Sequence, residues 1–134
     1  MTDMYDIANL ITDSATEVEG VWVPMGSGEI KVAREGNEEY QDYLMGLVNA
    51  NRALLDQNDK AARKVQRDLM IRAYAKTILK DVRNIQFKGK PIEKYTVDLG
   101  IELLTIKDFF NKVQAYAQQF EAYQKKAEEE AVKN

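Results

Sequence analysis

The side chains able to do chemistry in this chain are few in kind. There are 22 carboxylates and 19 lysines or arginines, with neither histidine nor cysteine. Without histidine, the group that most often serves as general base or metal ligand near neutral pH is missing, and no serine–histidine triad or histidine zinc site can be assembled. Without cysteine there is no disulfide and no thiolate ligand, a composition that suits a reducing cytosol. Carboxylate-only catalysis remains open in principle. The acidic residues are scattered over polar faces, however, so the composition argues against an enzyme and against a bound metal or other cofactor. Gly26-Ser27-Gly28 invites a phosphate-loop reading, but it lacks the lysine and hydroxyl at the required spacing and no helix begins directly after it. It reads as a turn.

Charge is segregated along the chain. Residues 1–59 carry three basic and twelve acidic side chains, a net of −9, and residues 60–94 carry eleven basic and three acidic, a net of +8. Residues 95–134 return to −2. A basic middle block raises the question of nucleic acid. Lys60, Arg63, Lys64 and Arg67 share helical spacing, as do Arg72, Lys76, Lys80 and Arg83, but at ~100° per residue the second group lies well around the helix from the first. No single basic groove follows from both, and no aromatics are interleaved to stack bases. The expectation is that the acidic N-terminal half folds against the basic middle, which argues against a nucleic-acid partner.

These residues need elements to hold them. At 134 residues the chain is the size of one domain, taken here as residues 1–134. No apolar run approaches the ~20 residues that span a bilayer, and the N-terminus lacks a basic segment followed by an apolar block. The expectation is a soluble, unexported protein that does not use a membrane. Residues 1–14 suit a short helix or a loose arm. Val21, Val23 and Met25, then Ile30 and Val32, alternate about the glycine turn and predict a β-hairpin over 18–34, with Trp22 as a packing anchor. Asn37 is placed to cap a helix over 38–55, whose apolar stripe includes Asn51, a side chain needing a partner if buried. A second helix is expected over 60–80, and Ile85 to Tyr95 suits a small hairpin or a loop. Thr96 caps a short helix over 97–104. Thr105 with Asp108 matches a capping box, starting a long amphipathic helix over 106–130. The fold class is therefore mostly α with a small N-terminal β-hairpin (α+β), a bundle of three to four helices.

Along that last helix Phe109, Phe110, Val113, Tyr116, Phe120 and Tyr123 form one apolar face. The proximal aromatics suit the core, whereas beyond Phe120 a terminal helix overhanging a small domain has little core left to cover. An exposed amphipathic segment suits helix-in-groove recognition or a self-complementary homo-oligomer contact.

The order of short motifs resembles the tail assembly chaperones of long-tailed bacteriophages. Glu17 to Tyr40, reading E-V-E-G-V-W-V-P-M-G-S-G-E-I-K-V-A-R-E-G-N-E-E-Y, is similar to that family's opening, in which a G-V-W-V-like strand and an I-A-R-x-x-N-like strand end precede a helix. Arg72-Ala73-Tyr74-Ala75 to Ile78, then Gly89-Lys90-Pro91-Ile92, Leu103-Leu104 and Asp108-Phe109-Phe110, resemble its second half, as does the closing A-Y-A-Q-Q-F-E-A-Y-Q run. The resemblance implies a non-enzymatic protein of the host cell cytoplasm, absent from the finished virion. Such a protein coats the tape measure protein, keeps it soluble and helps recruit tail tube protein subunits. It carries over no catalytic motif and no specific contact residue. On the residues alone, the five aromatics and one valine named above are the candidate partner surface. The competing readings are a tail-completion or head–tail joining virion protein and a small nucleic-acid-binding regulator.

Overall fold

In the computed structural model, residues 4–119 and Tyr123 are described. The hairpin forms because its apolar residues alternate and its turn is two residues long. Strand β1 (Val21–Met25) pairs antiparallel with β2 (Gly28–Val32), with Val21 opposite Val32 and Met25 opposite Gly28. Gly26 takes φ +63°, the left-handed conformation that this tight connection requires. Ile30 and Val32 point into the core, and Glu29 and Lys31 point away from it. Val18 and Glu19 belong instead to a short helix, α1 (Ser14–Glu19), which precedes the hairpin.

Asn37 caps α2 (Glu38–Ala50) as expected, accepting the Tyr40 N–H at 2.9 Å, and Glu38 and Glu39 occupy its first turn. The helix predicted to 55 breaks once, at Asn51, before α3 (Arg52–Leu55). The Asn51 amide donates back to the Leu47 carbonyl at 2.8 Å, which satisfies the side chain. Asp59 caps α4 (Lys60–Ala73) through the Ala62 N–H.

The first departure follows α4. Tyr74–Ile78 widens into a π turn in which the Leu79 N–H reaches the Tyr74 carbonyl, and Thr77 Oγ1 donates to the Ala73 carbonyl at 2.7 Å. Leu79 and Lys80, expected at the end of the helix, lie instead in β3 (Leu79–Arg83). This strand pairs antiparallel with β2, so the hairpin becomes a three-stranded sheet in the order β1-β2-β3. The third strand gives the hairpin the support that two strands lack in water. The short hairpin of β4 (Gln86–Phe87) and β5 (Lys90–Pro91) follows.

Thr96 caps α5 (Val97–Leu104), as predicted. The capping box at Thr105 does not form: Thr105 Oγ1 donates to the Ile101 carbonyl, and α6 (Lys107–Ala117) starts without a side-chain cap. The helix predicted over 106–130 stops at Ala117, capped by Gln118, whose N–H bonds to the carbonyls of Gln114 and Tyr116. Most of the remaining stretch of that helix, Phe120 included, lies outside the described residues.

The core sits where the inner face of the sheet meets the π turn, α5 and α6. Ile30, Val32, Tyr74, Ile78, Leu79, Leu104 and Val113 are all fully enclosed there. Backbone bonds stitch the layers together: the Ala33 N–H to the Ile78 carbonyl at 2.8 Å, and the Glu35 N–H to the Ala117 carbonyl at 2.9 Å. Trp22 does not enter this core. It stays half-buried on the outer face of the sheet, with the Arg83 guanidinium 4.0 Å over its ring.

Candidate functional site

The Asp59 cap starts α4 in a phase that puts Lys60, Arg63, Lys64 and Arg67 on one stripe, continued by Met70 and Ile71. The first turn of α6 brings Lys107, Phe110 and Asn111 to the same place. Together they enclose an open cleft of about 640 Å3 between the two helices. The five cations are exposed and form its rim, while Ile71 is buried and Met70 and Phe110 are half-buried beneath them. No carboxylate is among its lining residues.

The floor is held rigidly. The Phe110 ring lies 4.8 Å from that of Tyr74, which in turn meets Tyr40 edge-on at 5.6 Å. The buried Tyr74 hydroxyl donates to Glu35 Oε1 at 2.7 Å, and Gln118 Nε2 donates to the other Glu35 oxygen. Burial first, then the bond to Glu35, pushes the Tyr74 phenol well above its ordinary range, so it stays neutral.

The two basic groups of the middle block behave differently. Lys80 pairs with Glu39 at 2.9 Å, Arg83 pairs with Glu29 at 2.8 Å, and Lys76 sits 5.3 Å over the Tyr43 ring. The acidic half therefore folds against this second group, as the charge segregation suggested. Among the described residues the ion pairs are these two, Arg34–Glu17 and Lys88–Glu102, and none takes a groove cation. The first group leaves a concentrated positive potential above an apolar floor, a surface complementary in charge and polarity to an anionic group with an apolar face.

Of the six residues predicted as partner surface, only Phe110 lines this cleft. Phe109 is half-buried against the core. Val113 is fully buried, so it offers nothing to a partner. Tyr116 turns toward the hairpin, its hydroxyl donating to the Pro24 carbonyl at 2.7 Å. Tyr123 was expected on an exposed overhang; it is fully buried, with its hydroxyl donating to the Val32 carbonyl at 3.2 Å. Phe120 lies outside the described residues. The sequence signal for the groove was the spacing of Lys60, Arg63, Lys64 and Arg67, and the missing part was Lys107, which joins them from a distant helix.

Among the described residues no group of three or more acidic side chains is placed to hold a metal ion, and no helix is long and apolar enough to cross a membrane. Residues 35–134 match the model of a protein family described as YdaY prophage protein. The match takes in both walls of the groove and leaves β1 and β2 outside it. No curated protein and no solved structure matches the chain.

Proposed function

The chain belongs to the YdaY prophage protein family, and from that premise we propose that it is a non-enzymatic tail assembly chaperone acting in the host cell cytoplasm. It binds the tape measure protein, keeps it soluble and helps recruit tail tube subunits, and it is left out of the finished virion. The observation that carries this reading is the groove between α4 and α6, with five cations that take no ion pair among the described residues, above Met70, Ile71 and Phe110. Its client is an amphipathic helical segment with an apolar face and acidic flanks. A long filament built of such segments aggregates when bare, and covering its stripes removes that hazard. The order of sequence motifs supports the same reading.

The row of rim cations also favours a nucleic-acid reading. A phosphate backbone would engage the rim, but it would leave the apolar floor of Met70, Ile71 and Phe110 without a partner, since one aromatic side chain on the cleft is too few to stack a run of bases.

Affinity capture of the tagged chain from induced lysogens, together with mass spectrometry of purified virions, tests the proposal. The tape measure protein should co-purify with the chain after nuclease treatment, and the chain should be depleted from virions. Stoichiometric presence in virions would point instead to a tail-completion or head–tail joining component. Capture abolished by nuclease would point to nucleic acid.

A further inference from the structure

A second feature of the molecule matches the groove. Before α1 the chain makes a single 3-10 turn at Ile7–Leu10, and its apolar side chains lie open to solvent: Met4, Tyr5, Ile7, Leu10 and Ile11 are between 51% and 91% exposed. This arm is also purely acidic. Asp3, Asp6 and Asp13 precede any basic residue, the first of which is Lys31. At ~100° per residue, a helical arm would gather Met4, Ile7, Ala8 and Ile11 on one face with the aspartates to the other side.

The groove presents the complement: exposed cations from Lys60 to Arg67 along α4, joined by Lys107, above a floor ending in Phe110. Eight helical residues span roughly 12 Å, within the roughly 16 Å that α4 provides from Lys60 to Ile71. We propose that the acidic apolar arm of a second copy of this chain docks in the α4–α6 groove. The arm covers the floor while no client is bound, and a tape measure segment of the same chemistry displaces it. The displacement rests on the functional reading above, whereas the contact between arm and groove does not depend on the client named there.

The contact is between unlike surfaces, arm on one copy and groove on the other, which dictates the test. Light scattering on the purified full chain, with no other protein present, should show mass rising with concentration between about 1 µM and about 1 mM. Ile7→Asp with Ile11→Asp should abolish that rise, and so should Lys64→Glu with Arg67→Glu. All four side chains are exposed, so circular dichroism should show both variants folded. Mixed together, the arm variant keeps an intact groove and the groove variant an intact arm, so the mixture should form a one-to-one heterodimer and nothing larger. A wild-type protein that stays monomeric throughout, or variants that fail to complement, would overturn the proposal. An arm protected from proteolysis at monomeric concentrations would do so as well, since it would then occupy its own chain's groove. None of these outcomes bears on capture of the tape measure protein.

Discussion

Phe110 and Tyr74 lie 4.8 Å apart, ring to ring, and tilted by 36°, so the floor of the groove is the outer skin of the core. One side of the contact is a fully enclosed tyrosine on the π turn, and the other faces the cleft from the first turns of α6. The proposed client surface and fold stability therefore share a residue.

Phe110→Ala should cost about 2–4 kcal/mol in urea unfolding, because it leaves a void against Tyr74 and opens the floor. Phe110→Leu keeps most of the volume and should cost less than about 1.5 kcal/mol. The two readouts part in the leucine variant, which should unfold near the wild type but capture client more weakly, having lost its aromatic surface. A leucine variant indistinguishable in both assays would remove Phe110 from the site.

Tyr74→Phe takes the donor from Glu35 Oε1, leaving that carboxylate with its Gln118 partner, and should cost about 1–3 kcal/mol. A pH dependence follows. Burial, ahead of other causes, raises the phenol pKa of Tyr74, Tyr95 and Tyr123 above the ordinary 10.0. The folded state then keeps its phenol protons at pH values where the unfolded chain releases them, so this stability is fully present below about pH 10 and is lost as pH rises above it. Urea midpoints should be flat from about pH 7 to about pH 9 and fall beyond about pH 10, with a shallower fall in Tyr74→Phe.

The Tyr95 hydroxyl donates to the Ala75 carbonyl within the π turn at 2.5 Å, and Gly100 makes room for it. A Cβ at Gly100 would sit 2.0 Å from that hydroxyl. Gly100→Ala should therefore expel the tyrosine and destabilise the protein by about 2 kcal/mol or more, although alanine is the better helix former. Combined with Tyr95→Ala, the substitution should cost far less than the two effects added, a coupling that a double-mutant cycle would reveal.

The elements that could be read from the chain are those governed by neighbours a few residues away. Asn37, Asp59 and Thr96 cap the helices that follow them, and the glycine turn closes the hairpin. What escaped depends on distant partners. Lys76 and Lys80 carry helical spacing, so the first two residues of β3 looked like the end of α4; the strand forms because β2 is there to pair with it. Tyr123 looked like a surface aromatic because nothing local signals that α6 ends at Ala117 or that the Tyr123 hydroxyl meets Val32, 91 residues away in sequence. Half of the groove was visible as a row of cations on α4. Its other wall waited on the packing of α6, which delivers Lys107 and Phe110.

The most direct test of the groove as the client site is co-expression with the tape measure protein from the same prophage. The readout is the fraction of that protein left soluble after lysis. Lys64→Glu with Arg67→Glu reverses two exposed rim charges and leaves the core untouched, so its thermal midpoint should match the wild type. The wild-type chain should keep the tape measure protein soluble. The double variant should leave most of it in the pellet, with affinity reduced about ten- to hundredfold. Equal solubility with the wild type and the folded double variant would contradict the assignment.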